Sequence, residues 1–413
     1  MSNPQPERAR ILVICTLDLM ASVLLKPWLT RLAEAGYEVH LACTRTTSFD
    51  ELADAGFRVH EAPLRRRFNP LSHVIPLWKL YRLMRRERFL AVNCHSPVAA
   101  AVGRLAAWLA RAPLIIYTVH GFYFHDMMPA LPRRLFIGIE WLLGRITNYF
   151  MFVSDEDRQT SLRTGIAADA RATTTIYNGI DLATYIPKAA DRASTRELRR
   201  DLGIVLGGPV IGIVGRIVRE KGYREFLGMA QAVAARHADA TFLVVGDALP
   251  SDRDRFGGQL KQGVRAAGLE GHFRFTGFTK RVADYLQVMD IFVLPSWREG
   301  FPCSVLEAMA TGLPVVATNI RGCREAVVHG QTGLIIPPGN APALTDAVLY
   351  LLDHPEVRRR MGEAGRHRVV ELYDQRLVQE RFVAVFDRLL GTPSQPGEEN
   401  VRCVHSGESS RTR

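Results

Sequence analysis

Two carboxylates, Glu299 and Glu307, bracket the stretch Glu299-Gly-Phe-Pro-Cys-Ser-Val-Leu-Glu307. Before it, Asp290-Ile-Phe-Val-Leu-Pro-Ser296 reads as a short apolar strand entering a turn. After it, Ser304 to Met309 reads as the opening of a helix, with Pro302 suited to a first turn. Glu299 is therefore expected in a loop and Glu307 in the first helical turns, both at the C-terminal edge of a parallel sheet. Open α/β sheets bind ligands at that edge, and free amides at a helix start attract anions. Carboxylates accept hydrogen bonds from hydroxyls while amides cradle phosphate, so a sugar nucleotide suits both halves. The plainer reading is a loop Glu and a Glu that offsets a helix dipole.

Further candidates follow other apolar runs. Gly215-Arg216 comes after Val210 to Val214, and Lys221-Gly222 opens the next helix. Gly215 lets backbone approach a ligand, Arg216 offers a planar fork, and Lys221 a mobile charge for diphosphate oxygens. The alternative is two solvated cations beside a helix start. His120-Gly121 follows Leu114-Ile-Ile-Tyr-Thr-Val119, and His95 follows Leu90 to Asn93; each is a cleft residue or a structural hydrogen-bonder. His125 and Asp126 lie in the next loop as candidate ligand contacts, and Asp18 occupies the turn after Ile11 to Cys15.

The block from Glu299 to Gly333 also holds Glu307-Ala-Met-Ala310, Gly312-Leu-Pro-Val-Val-Ala317, Gly322, Glu325-Ala-Val-Val and Gly330-Gln-Thr-Gly-Leu334. It resembles the donor-binding region of the family 4 retaining glycosyltransferases, and the resemblance runs from about Ile11 to about Leu390. It implies the GT-B fold: two Rossmann-like, doubly wound parallel-sheet domains facing a cleft. It implies a retaining, hexosyl-type transferase using a nucleotide-diphosphate sugar, expected to be UDP-linked, without metal or other cofactor. Glu299, His120, Arg216 and Lys221 are the implied catalytic group, with Gly215, Arg216, Lys221, Glu299, Gly300, Phe301 and Glu307 around the donor. Asp18, His95, His125 and Asp126 remain acceptor-side candidates. The loop after His120 resembles enzymes of capsular, exopolysaccharide or lipid-linked glycan assembly, so a glycan or polyprenyl-diphosphate-linked acceptor is expected. One departure is Cys15-Thr-Leu-Asp-Leu-Met20, where many members carry a Gly-rich turn. Rival readings are a sugar-nucleotide epimerase of the same fold and a non-catalytic binding subunit.

These residues need two sheets to hold them, and 413 residues suit two domains. Strands are expected at Ile11 to Cys15, Glu38 to Ala42, Arg58 to Ala62, Leu90 to Asn93, Leu114 to Thr118, Tyr149 to Val153 and Ala172 to Ile176. A second series covers Val210 to Val214, Thr241 to Val245, Phe273 to Thr276, Ile291 to Leu294, Val315 to Thr318 and Leu334 to Ile336. Helical patterns alternate with them, as in doubly wound folds. The division is an acceptor-side domain over 1–186, a polar linker over 187–208 and a nucleotide-sugar domain over 209–372. The resemblance implies that a helix at 373–390 crosses back to the first domain, and a disordered tail is expected at 391–413. Ser154-Asp-Glu-Asp157 reads as a capping box.

Six scattered cysteines without CxxC spacing point to free thiols in the cytoplasm rather than a zinc site. A net charge of +11 is compatible with nucleic acid, but no groove-reading motif accompanies it. Diphosphate ligands or an anionic membrane explain it as well. The stretch Arg65 to Arg88 carries eight cations and one acid among Val74, Ile75, Trp78 and Tyr81. It is either a basic amphipathic helix docking peripherally on the inner face of the plasma membrane or a solvated helix face. The aromatic loop Phe122 to Phe136 is expected to assist in docking.

Overall fold

Alternating apolar strands and amphipathic helices produce two parallel sheets. The computed structural model describes residues 9–65, 70–188, 193–205, 207–248 and 256–391. The first sheet contains β1 (Arg10–Leu17), β2 (Glu38–Thr44), β3 (Arg58–Glu61), β4 (Ala91–His95), β5 (Leu114–Val119), β6 (Tyr149–Phe152) and β7 (Thr173–Thr175), ordered β3-β2-β1-β4-β5-β6-β7. The second contains β8 (Val210–Val214), β9 (Thr241–Val245), β10 (Phe273–Phe275), β11 (Ile291–Leu294), β12 (Val315–Thr318) and β13 (Gly333–Ile336), ordered β10-β9-β8-β11-β12-β13.

Helices cover both faces of each sheet, so strands such as Ile11-Leu-Val-Ile-Cys15 are apolar without alternation and fully buried. The strand order reverses between β1 and β4 and again between β8 and β11. A crevice opens at such a reversal, and residues just past these strands line it.

All thirteen strands lie where the apolar runs placed them, with ends shifted by at most two residues. Between β1 and β2 a π-turn over Ala21–Leu25 is followed by an α-helix at Lys26–Glu34 with Pro27 in its first turn. Proline has no amide hydrogen to extend a helical ladder inward, so the α-helix starts there. The stretch taken as linker contains a helix at Ala193–Asp201. Leu198 and Leu202 pack into the core beside it, and Arg199 donates to the carbonyls of Val288 and Gly208 at 3.0 and 2.8 Å. Its charge-rich composition concealed this apolar edge.

The final helix, Gln375–Leu390, lies against the first domain. Phe382 meets Trp28 with ring centroids 4.9 Å apart, and the Tyr37 hydroxyl donates to Asp387 at 2.6 Å. Residues 392–413, most of the tail expected to be disordered, lie outside the described residues. Among the described residues no helix is long and apolar enough to cross a membrane.

Candidate active site

The ends of β8 and β11 bring two distant motifs into contact. A short turn at Arg219–Lys221 follows β8, and a loop from Pro295 to Pro302 joins β11 to the helix Cys303–Ala310. Across this junction Lys221 Nζ donates to Glu299 Oε1 at 2.6 Å, and Ser296 Oγ donates to the same oxygen at 2.7 Å. The Lys221 and Glu299 side chains are 16% and 10% exposed, so the pair is largely desolvated. Gly215 lies beside it: a side chain there would begin 3.7 Å from Lys221 Cε. Arg216 reaches the surface and pairs with Glu220 at 3.3 Å.

Glu307 lies one turn into the Cys303–Ala310 helix and keeps part of its surface accessible. Its surroundings are nonetheless dense: burial pushes its carboxyl up to about 7, against the opposing hydrogen bond from Tyr185. Phe301 does not face a ligand. Its ring is buried between Tyr177 and Tyr373, with centroids at 5.6 and 5.3 Å, and its carbonyl accepts from Asn178 Nδ2 at 2.8 Å. Only its backbone remains for donor binding, a correction to the role expected of it.

The opposite wall and this loop meet through three glycines, Gly121 of the first domain and Gly300 and Gly322 of the second. A methyl on Gly121 would sit 2.8 Å from Gly300 Cα, one on Gly300 would sit 2.0 Å from the His120 carbonyl oxygen, and one on Gly322 would sit 1.7 Å from the Gly300 carbonyl oxygen. Three motifs far apart in sequence thus touch through bare backbone, and His120 is set beside the Glu299 loop. His120 Nε2 lies 2.8 Å from His95 Nδ1, and Trp28 stacks on His120 with centroids 5.8 Å apart. Burial lowers His120 to about 4 and holds His95 well below its usual range, so both rings are neutral near pH 7.

The acceptor-side candidates fare differently. His95 is 1% exposed and stands behind His120, so direct acceptor contact is corrected to burial at the end of β4. Asp18 is fully buried. Its carboxylate accepts from the amides of Leu19 and Thr46 at 2.7 and 2.6 Å and also from the Thr46 hydroxyl, which ties the β1 turn to the β2 turn. This too replaces an acceptor contact with a structural one. Asp126 accepts from Arg324 at 2.9 Å and faces Arg321 at 3.4 Å. His125 lines a small enclosure of about 20 Å³ with Arg298 and Arg321, room for about one water.

Arg321 and Arg324 escaped the sequence reading, although they flank Gly322. Arg321 also holds Asp157 at 2.9 Å, and Arg324 holds Glu156. Burial pushes the Asp157 carboxyl up to about 6 despite Arg321. Glu325 accepts from Ser154 Oγ at 2.5 Å and from the Asp155 amide at 2.7 Å. A carboxylate of the second domain therefore caps a helix of the first. Of the expected capping box the N-cap half is present, with the Asp157 amide donating to Ser154 Oγ at 3.2 Å, while the Asp157 carboxylate turns to Arg321.

A pocket of about 340 Å³ opens between the walls. Leu19, Met20 and Val23 of the first domain face Gly215, Arg216 and Phe278 of the second across it. The segment that departs from a Gly-rich turn therefore supplies an apolar wall.

Comparison with known proteins accounts for both halves. Residues 23–184 match the family described as Glycosyltransferase Family 4, and residues 194–368 match Glycosyl transferases group 1. The UDP-Gal:alpha-D-GlcNAc-diphosphoundecaprenol alpha-1,3-galactosyltransferase of Escherichia coli is 26% identical over 337 residues, covering 81% of this chain and 84% of that protein. The N,N'-diacetylbacillosaminyl-diphospho-undecaprenol alpha-1,3-N-acetylgalactosaminyltransferase of Campylobacter jejuni is 25% identical, covering 88% and 94%. The crystal structure of HepE from Anabaena in complex with UDP and glucose superimposes with a TM-score of 0.77 at 20% identity, covering 92% of this chain and 100% of HepE. With matches spanning both domains and two parallel sheets facing a cleft, the chain belongs to the family 4, group 1 glycosyltransferases and has the GT-B fold.

Proposed function

We propose that this glycosyltransferase moves a hexosyl-type sugar from a UDP-sugar to a glycan or polyprenyl-diphosphate-linked acceptor, with retention at the anomeric carbon and without a metal. The observation that carries this reading is the Lys221–Glu299 pair set against the His120 loop through Gly121 and Gly300. Lys221 and Arg216 would neutralise charge building on the departing diphosphate, the main electrostatic demand of the transfer. Glu299 would hold sugar hydroxyls and Glu307 the ribose, while His120 faces the sugar from the first domain. Attack then comes from the face the diphosphate leaves, with no carboxylate serving as nucleophile, unlike a retaining glycosidase. The lipid-linked substrates named for the relatives from Escherichia coli and Campylobacter jejuni support an acceptor of that class.

The test is incubation with a panel of nucleotide sugars, followed by NMR of the released or transferred sugar. Retained configuration from a UDP-sugar is expected. Inverted product would sink the mechanism, and an epimerised UDP-sugar formed without acceptor would replace it with the epimerase reading.

Docking on an anionic membrane belongs to the same proposal. The helix Val74–Glu87 exposes Val74, Ile75 and Trp78 alongside Arg82, Arg85 and Arg86. The helix Ala130–Gly144 adds exposed Leu131, Leu135 and Leu142. Phe122 and Phe124, expected to assist, are buried in the domain core instead. Each cation near an anionic leaflet contributes about 1 kcal/mol, screened by salt. Reversing Arg82, Arg85 and Arg86 to Glu should abolish sedimentation with anionic liposomes and leave UDP binding intact. Sedimentation that persists would assign these cations to a solvated helix face.

A further inference from the structure

We infer that His95 is a positioning residue for His120: through their hydrogen bond it sets the tautomer that His120 presents to the donor sugar. This rests on the proposed role of His120 in the cleft.

His95 closes β4 and His120 follows β5, and the two strands pair with His95 opposite Thr118. The rings meet with Nδ1 of His95 2.8 Å from Nε2 of His120. Two bare nitrogens, or two N–H groups, would repel at that distance, so one ring donates and the other accepts. Their other nitrogens, His95 Nε2 and His120 Nδ1, have no protein partner. Each arrangement leaves one of these as an unpaired N–H. Burying such a donor is costly, and orphaned buried donors are rare. Both nitrogens are themselves buried, but His95 is enclosed on all sides whereas the His120 ring keeps part of its surface accessible. The unpaired N–H therefore belongs on His120, the one ring of the two with accessible surface. His95 donates from Nδ1, and His120 carries its proton on Nδ1.

Two further contacts fix the arrangement. Trp28 stacks on His120 at an interplanar angle of 21° and is itself backed by Phe382 of the final helix. Ser96, directly after His95, adopts φ +65, a left-handed conformation unusual for a non-glycine residue. Such backbone persists only where its surroundings over-determine it.

The test compares His95→Asn, whose amide occupies the place of Nδ1, with His95→Gln and His95→Leu. Wild-type protein carrying ring-nitrogen-labelled histidine should show His120 protonated at Nδ1 near neutral pH. His95→Leu should give mixed tautomers and lower kcat by about tenfold, the scale of one lost orienting hydrogen bond, with little change in KM for the UDP-sugar. His95→Asn should restore most of kcat, and His95→Gln should not. A wild-type His120 protonated at Nε2 overturns the inference without any variant. So does a kcat that is equally low in all three variants, or unchanged in His95→Leu. His120→Ala separates the two claims: if it keeps wild-type turnover, the role of His120 fails, whatever the His95 series shows.

Discussion

The two walls of the cleft are built from the same strand-turn-helix unit, yet they handle charge in opposite ways. The second domain sets the Lys221–Glu299 pair at the ends of β8 and β11 and lines the space between the walls with Arg216. The first domain lines that space with Leu19, Met20 and Val23 and sets a neutral His120 beside the Glu299 loop. Its acids at Asp126, Glu156 and Asp157 are spent instead on Arg321 and Arg324 of the facing domain. One wall holds charge ready for a substrate; the other uses charge to hold the walls together. In this protein, therefore, an acid near the cleft is as readily a tie between the walls as a binding group.

Removing Arg321 should produce the largest change. Arg321→Ala leaves Asp157 buried without its partner, and breaking a buried pair costs roughly 3 to 5 kcal/mol. Thermal melts of Arg321→Ala, Asp157→Asn and the double variant should show strong coupling; additive losses would dismantle the division of labour between the walls. The pH dependence has a definite sign. The Asp157 carboxyl is raised from 3.8 to about 6. It therefore favours the folded state most below the lower value, and that contribution is lost as pH rises toward the higher one. Asp157→Asn should flatten that slope.

Next comes Gly300→Ala, which sharpens the comparison by forcing the walls apart. Its methyl would fall on the His120 carbonyl, so turnover should drop about a hundredfold, as misplacement by an ångström can do, while the protein stays folded. Wild-type kinetics in this variant would mean that the contact is not required for the reaction. Lys221→Ala should weaken UDP binding by about 1.5 to 3 kcal/mol, since the lost partner is charged. Calorimetry showing unchanged UDP affinity would remove Lys221 from the diphosphate.

Glu307→Gln should have the smallest effect. With the carboxyl raised to about 7, the wild-type should bind UDP more tightly as pH rises through that value, because the carboxylate is the better acceptor for ribose hydroxyls. The variant should show a shallow, nearly pH-independent loss of a few-fold. A wild-type titration as flat as that of the variant would separate Glu307 from the ribose.

Local pattern determined much of this protein. The apolar runs located all thirteen strands because a strand buried on both faces needs consecutive apolar residues. The glycines at 121, 300 and 322 were legible as motif residues, as were the residues of the Lys221–Glu299 pair, because each serves a short turn within its own segment. What no local pattern carries is which segments meet. Only the tertiary structure decided that three glycines from two domains share one crossing, since steric exclusion between backbones acts across more than a hundred positions of sequence. Only it separated Asp18, a buried tie for the β1 turn, from a residue facing the acceptor. It also turned Asp157 from a helix-capping residue into half of a bridge between domains, and placed His95 behind His120. A carboxylate or an imidazole has the same composition in either role. Its partner, supplied by a distant part of the fold, sets its proton and its task.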